Sequence, residues 1–188
     1  MAERNTYIIS KGFRNYFLFT ILFMVAEQTC TTIDMIMVGN MVNADAFSAL
    51  DLVIPLETVS TGIFMLMTGG AGILASRLIG DQSFRKANQI LTVSAVSVCL
   101  TAAVFSAAVL AGLDRITSAL CPDMSLRPYL KEYLPIYMAG LPAMAFYTIV
   151  NLIVNIDGKP QIALYAVLAG CVGDIVLNLV FMLGMDMG

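Results

Sequence analysis

Polar and apolar positions alternate in long blocks along the chain. Five stretches are apolar enough and long enough to cross a bilayer, which takes about 20 residues of helix. They run over residues 15–38, 46–79, 88–113, 129–154 and 161–184. Short polar segments carrying Arg, Lys, Asp or Gly separate them. The second stretch is longer than one straight crossing needs and holds Pro55 and Gly69 to Gly72. No polar turn interrupts it, so the pattern predicts one long, tilted or bent helix. The fourth stretch contains Pro135, Gly140 and Pro142, which predict a kink or local unwinding. Gly62, Gly69, Gly72 and Ser76 recur at near-helical spacing in the second stretch and predict close helix packing.

Composition strengthens this picture. Of the 188 residues, 59% are hydrophobic and 12% charged. Soluble domains are about 45–50% apolar and about 25% charged. The chain is therefore expected to be an all-α integral membrane protein, a polytopic bundle of about five transmembrane helices. The N-terminal stretch, residues 1–14, is polar and has no signal-peptide architecture. It is expected to be a cytoplasmic tail. Loop charge agrees: an internal N-terminus places Arg4, Lys11, Arg14, Arg77, Arg85, Lys86 and Lys159 inside, against Arg115, Arg127 and Lys131 outside. With five spans, the C-terminal end then faces outward.

What is absent narrows the chemistry. The chain has no His, which removes His-based proton relays, His metal sites and Ser–His hydrolysis. Asp34 and Asp174 lack the Gly-flanked pattern of an aspartyl hydrolase pair, so an enzyme is not expected. No basic run is dense enough for nucleic acid. Cys30, Cys99, Cys121 and Cys171 match no metal motif. They are expected to be small apolar residues, with Cys121 alone in a loop.

The candidate chemistry lies in acids within the apolar stretches: Glu27, Asp34, Asp51, Glu57 and Asp174. An Asp facing lipid at a helix centre costs about 2.5–3.5 kcal/mol on insertion scales, so these side chains are expected to face a bundle interior or a wet cavity. Glu27 and Asp34 are seven residues apart and share a helix face, with Gln28 and Thr31 beside it. Asp174 and Asn178 are four apart on the fifth stretch, and Asn151 and Asn155 repeat that spacing on the fourth. Asp34, Asp174 and Asn178 are the candidates for binding a coupling cation. Glu27, Gln28, Thr31, Glu57, Asn151 and Asn155 are candidates to line a cleft. Carboxylates and amide oxygens suit protons or hard cations such as Na⁺. Interhelical hydrogen bonding for packing alone is the competing account, strongest for Asn151 and Asn155.

Three segments, "TIDMIMVGNMVNADAFSAL", "PLETVSTGIFMLMTGGAGILASRLIGDQSFRKAN" and "NIDGKPQIALYAVLAGCVGDIVLNLVFMLGMDMG", occur in an order and spacing that resemble the N-terminal half of the multidrug and toxic compound extrusion (MATE) transporters. The resemblance implies twelve helices in two six-helix lobes around a cleft of alternating access. On that pattern, residues 15–188 are most of an N-lobe, without its sixth helix or a C-lobe. It implies export of organic cations or amphipathic, drug-like compounds from the cell across the cytoplasmic membrane, driven by inward Na⁺ or H⁺ with no other cofactor. Asp34 matches the family's first-helix acid in ion coupling. Asp174 and Asn178 fall where many members carry Asn and Asp, with the two types exchanged here. Two other readings stay open. One is a lipid-linked oligosaccharide flippase of the same superfamily, which would want Arg or Lys in the cleft. The other is a non-transporting subunit, or half of a split transporter completed by a missing C-lobe.

Overall fold

The computed structural model describes residues 2–41, 48, 51–121, 124 and 126–180. Among the described residues there is no strand. Six helices of the described residues run in order: α1 (Ala2–Met41), α2 (Ile54–Gly80), α3 (Phe84–Ala111), α4 (Leu113–Leu120), α5 (Arg127–Ile156) and α6 (Pro160–Leu179). Five of them hold stretches long and apolar enough to cross a membrane: Gly12–Met37 of α1, and α2, α3, α5 and α6 in full.

The boundaries show where local chemistry overrides hydropathy. Helix α1 continues through residues 2–14, so the segment expected as a tail is helical, while the apolar stretch begins only at Gly12. Helix α2 starts at Ile54 rather than near residue 46, with Pro55 in its first turn. Pro55 therefore marks a helix start, where its missing N–H costs nothing. Leu56 and Glu57 close that turn by donating to the Val53 carbonyl at 2.9 and 3.1 Å. The polar turn Asp81–Ser83 reverses the chain into α3, with Gln82 at φ 58°. The end expected for the fifth stretch, residues 181–184, lies outside the described residues.

The chain divides into two compact units, one holding α1 and α6, the other α2 to α5. In the second unit α3 runs antiparallel to α2, which it joins by the tight turn, and to α5. Three rows of buried residues meet there: Ser60, Phe64, Thr68, Ala71 and Ala75 on α2; Val98, Ala102, Ser106 and Val109 on α3; and Leu130, Leu134, Met138, Leu141, Ala145 and Ile149 on α5. The three-and-four spacing within each row is the helix repeat that keeps one stripe inward. The expected glycine stripe is only partly the packing face. A Cβ on Gly72 would come within 2.8 Å of Leu152 Cδ1, whereas Gly62 and Gly69 open onto free space, and Ser76 is exposed. The close approach of α2 and α5 thus rests on Gly72.

Helix α5 neither breaks nor unwinds at its prolines. Pro142 has no N–H for the carbonyl of Met138 four residues back. Ser106 Oγ on α3 supplies the missing donor at 2.7 Å, in a buried position. A neighbouring helix thereby satisfies the backbone group that lipid could not.

Between α3 and α5 lies α4, too short for a span. Gly112 separates it from α3. Leu113, Ile116 and Leu120 pack against the core, while Asp114, Arg115 and Ser118 are exposed. Such an amphipathic turn suits a membrane–water boundary. Cys121 follows it but is buried in the core, and its carbonyl accepts from Arg127 Nε at 3.0 Å.

In the first unit α1 and α6 run parallel. Tyr16 lies beside Gly158, Cys30 is bonded to Cys171, and Asp34 meets Asn178, so position rises together on both helices. The Asp157-Gly158-Lys159-Pro160 turn feeds α6. Gly158 takes φ 78°, a left-handed value that favours glycine, and Pro160 occupies the first turn of the helix.

Candidate functional site

Asp34 stands near the end of the apolar part of α1. Asp174 and Asn178 lie one turn apart on α6 and so share a face. Because α1 and α6 are parallel and in contact, that face meets Asp34. Asn178 Nδ2 donates to Asp34 Oδ1 at 3.1 Å, and the Asp174 carboxyl lies within hydrogen-bonding reach of Asp34. All three side chains are half-buried. The three residues singled out for cation binding thus converge on one point, although 144 positions separate Asp34 from Asn178.

Chemically, this point gathers two carboxyl groups and one amide. Two carboxylates side by side repel unless a cation sits between them or a proton bridges them. The amide can serve either state. It donates its N–H to Asp34 here, and a half-turn about its last bond would present Oδ1 as a ligand instead.

One turn before the acids, Cys30 and Cys171 form a disulfide with Cα atoms 5.6 Å apart. This corrects the expectation that both are merely small apolar residues; Cys99 and Cys121 take no part in that bond. No spacing rule pairs two cysteines 141 residues apart. A usable signal was present, however: each lies one helical turn before a candidate acid, Cys30 before Asp34 and Cys171 before Asp174.

Within the unit of α1 and α6 the remaining candidates do not join this cluster. Glu27 and Gln28 are exposed two turns earlier on α1. Thr31 Oγ1 donates back to the Glu27 carbonyl at 3.2 Å, as Thr29 and Thr32 donate to Val25 and Gln28 at 2.7 and 2.8 Å. These hydroxyls satisfy themselves along their own helix.

Glu57, Asn151 and Asn155 belong to the other compact unit. There Asn155 Nδ2 donates to Asn151 O at 2.9 Å and to Asn151 Oδ1 at 2.6 Å. Asn155 thus donates to the residue one turn back on its own helix, α5. Glu57 is exposed on α2 and lies near Tyr133 and Tyr137 of α5. Those rings stack with centroids 6.1 Å apart. The tyrosines were not among the sequence candidates; their four-residue spacing opposite an acid is the mark that finds them. Among the described residues no group of three or more His, Cys, Asp or Glu is placed to hold a metal ion.

No curated protein and no solved structure matches the chain. A family model does: MatE, over residues 20–180. That match takes in Asp34, Asp174 and Asn178, four of the five apolar helices in full and the first from residue 20 onward, and the chain belongs to the MatE family of membrane transporters.

Proposed function

We propose that the chain is N-lobe sequence of a cation-coupled efflux antiporter, which exports organic cations or amphipathic drug-like compounds in exchange for Na⁺ or H⁺. The observation that carries this reading is the meeting of Asp34 with Asn178 and Asp174 across α1 and α6. A bare acid in an apolar helix costs about 2.5–3.5 kcal/mol. Two acids and an amide at one point make a place where a monovalent cation relieves that cost.

With a proton bridging the carboxyls, Asn178 keeps its donated hydrogen bond. With Na⁺ bound, oxygens of Asp34 and Asp174 and a turned Asn178 amide would supply ligands. Either ion shifts the lobe between conformations only by the difference in its affinity for them. Exposed Glu27 and Gln28, with Thr31 beside them, would meet the exported compound from α1; Glu57, Asn151 and Asn155 are cleft-lining candidates of the other unit. The membrane would be the cytoplasmic one, as the family resemblance implies, and the N-terminal end inside, on the strength of the loop charges.

The test is growth of an efflux-deficient host carrying the intact gene, challenged with cationic drugs. The wild type is expected to raise the inhibitory concentration several-fold, and Asp34→Asn to lose most of that gain at equal membrane abundance. Equal resistance from both would remove Asp34 from the coupling role.

A further inference from the structure

The Cys30–Cys171 disulfide lies on the same seam as the acids. From Cys30 to Asp34 is four residues along α1. From Cys171 to Asp174 is three along α6, and Asn178 is four further on. In each helix this is about one turn, roughly 5 Å. A disulfide requires Cα atoms within about 4.4–6.8 Å, and here they are 5.6 Å apart. While the bond exists, α1 and α6 cannot part at this level, and Asp34 one turn away cannot travel far from Asp174 and Asn178.

We infer that Cys30 and Cys171 form a redox-controlled clamp on the Asp34–Asp174–Asn178 cluster: closed when oxidised, free to open when reduced. This rests on the reading of the cluster as the coupling site.

Three observations support it. The bond joins the two helices that supply the cluster rather than two ends of a loop. Both cysteines are only half-buried, so the bond is not sealed inside the protein core. Both also lie toward the same end of their spans, seven residues from Met37 and eight from Leu179. At about 1.5 Å per residue that is roughly 10–12 Å from the span ends. In the orientation proposed from loop charge this end faces outward, where disulfides persist.

The exchange is ordinary thiol–disulfide chemistry. In closing, one protein thiolate attacks a disulfide-bearing oxidant and expels one of its sulfurs as a thiol. The second protein thiolate then attacks the mixed disulfide and expels the other. The protein loses two electrons and two protons, and the oxidant gains them as two thiols. A dithiol reductant reverses both steps.

The test uses the full chain in native membranes and needs no transport. Alkylation with a polyethylene-glycol maleimide after denaturation is expected to mark two thiols, Cys99 and Cys121, before reduction and four after it. Dicyclohexylcarbodiimide, which attacks membrane-embedded carboxyls, is then applied to oxidised and reduced membranes. Labelling of the Asp34 and Asp174 peptides is expected to rise at least threefold on reduction. The Cys30→Ser/Cys171→Ser variant should label at the higher level in both conditions, and Cys99→Ser/Cys121→Ser should follow the wild type. Four thiols before reduction would overturn the clamp, as would carboxyl labelling that is the same in both redox states. Equal drug resistance from wild type and Asp34→Asn would overturn the coupling role of the cluster while leaving this measurement intact.

Discussion

Single residues show two kinds of charge in this protein, each held by groups on another helix but differing in exposure. Asp34 is half-buried and meets Asn178. Asp114 is held by Lys131, to which it is bonded at the surface where α4 meets α5. That hydrogen bond and the ammonium charge hold the Asp114 carboxyl below its ordinary value. The sign of the pH effect follows. A depressed carboxylate contributes stability above its unfolded value, about 3.9, and loses it as pH falls through the lower folded value. Replacing Lys131 by Met should therefore raise the Asp114 midpoint toward the ordinary carboxylate range, measured by NMR titration of a ¹³C-labelled carboxyl. Both side chains are exposed, so the effect should shrink as salt is added. No change on substitution would mean that the pair is not formed in solution.

At the scale of helices, the informative element is α5. Its prolines, read alone, ask for a break, yet the helix continues because Ser106 supplies the hydrogen bond that Pro142 removes. A double-substitution cycle tests this. Ser106→Ala should cost about 1–3 kcal/mol, the penalty for stranding a buried carbonyl. In a Pro142→Ala background residue 142 regains its N–H, so the same Ser106→Ala change should cost under about 1 kcal/mol. Unfolding in detergent by titration with a denaturing surfactant reads both. Equal costs in the two backgrounds would show that Ser106 does not compensate for Pro142. The helix also shows a limit of pattern reading. Proline positions are visible in the chain, but the compensating hydroxyl is 32 residues away, and only packing reveals the pair.

At the scale of the whole molecule, many large apolar side chains of the described residues are exposed. Leu66 is 80% exposed, Ile136 74% and Phe13 70%. Such side chains belong against lipid, since a soluble protein rarely leaves so many exposed. Orientation in that lipid can be read from two turns. Asp81 lies in the turn between α2 and α3, and Met124 lies between α4 and α5 and is 77% exposed. In a background with Cys99 and Cys121 replaced by Ser, Met124→Cys should react with a membrane-impermeant maleimide on intact cells. Asp81→Cys should react only after permeabilisation. The reverse pattern would place the N-terminal end outside.

The sequence by itself determined the class and the elements. Burial in lipid leaves helices as the only open-ended way to satisfy the backbone, so five long apolar stretches could only be five helices. Helical spacing also determined that Asp174 and Asn178 share a face, because that follows from the repeat of one helix. The tertiary structure decided what no single helix specifies. It decided that Asp34 meets that face, that Cys30 is bonded to Cys171 one turn below, that Gly72 is where α2 approaches α5, and that Asn155 donates to Asn151. The physical reason is range. Periodicity and turn chemistry act over a few residues, whereas each of the first three contacts joins residues of different helices. Asn151 and Asn155 are neighbours in sequence, yet whether they turn to each other or across the bundle is settled by the side-chain geometry of the folded protein.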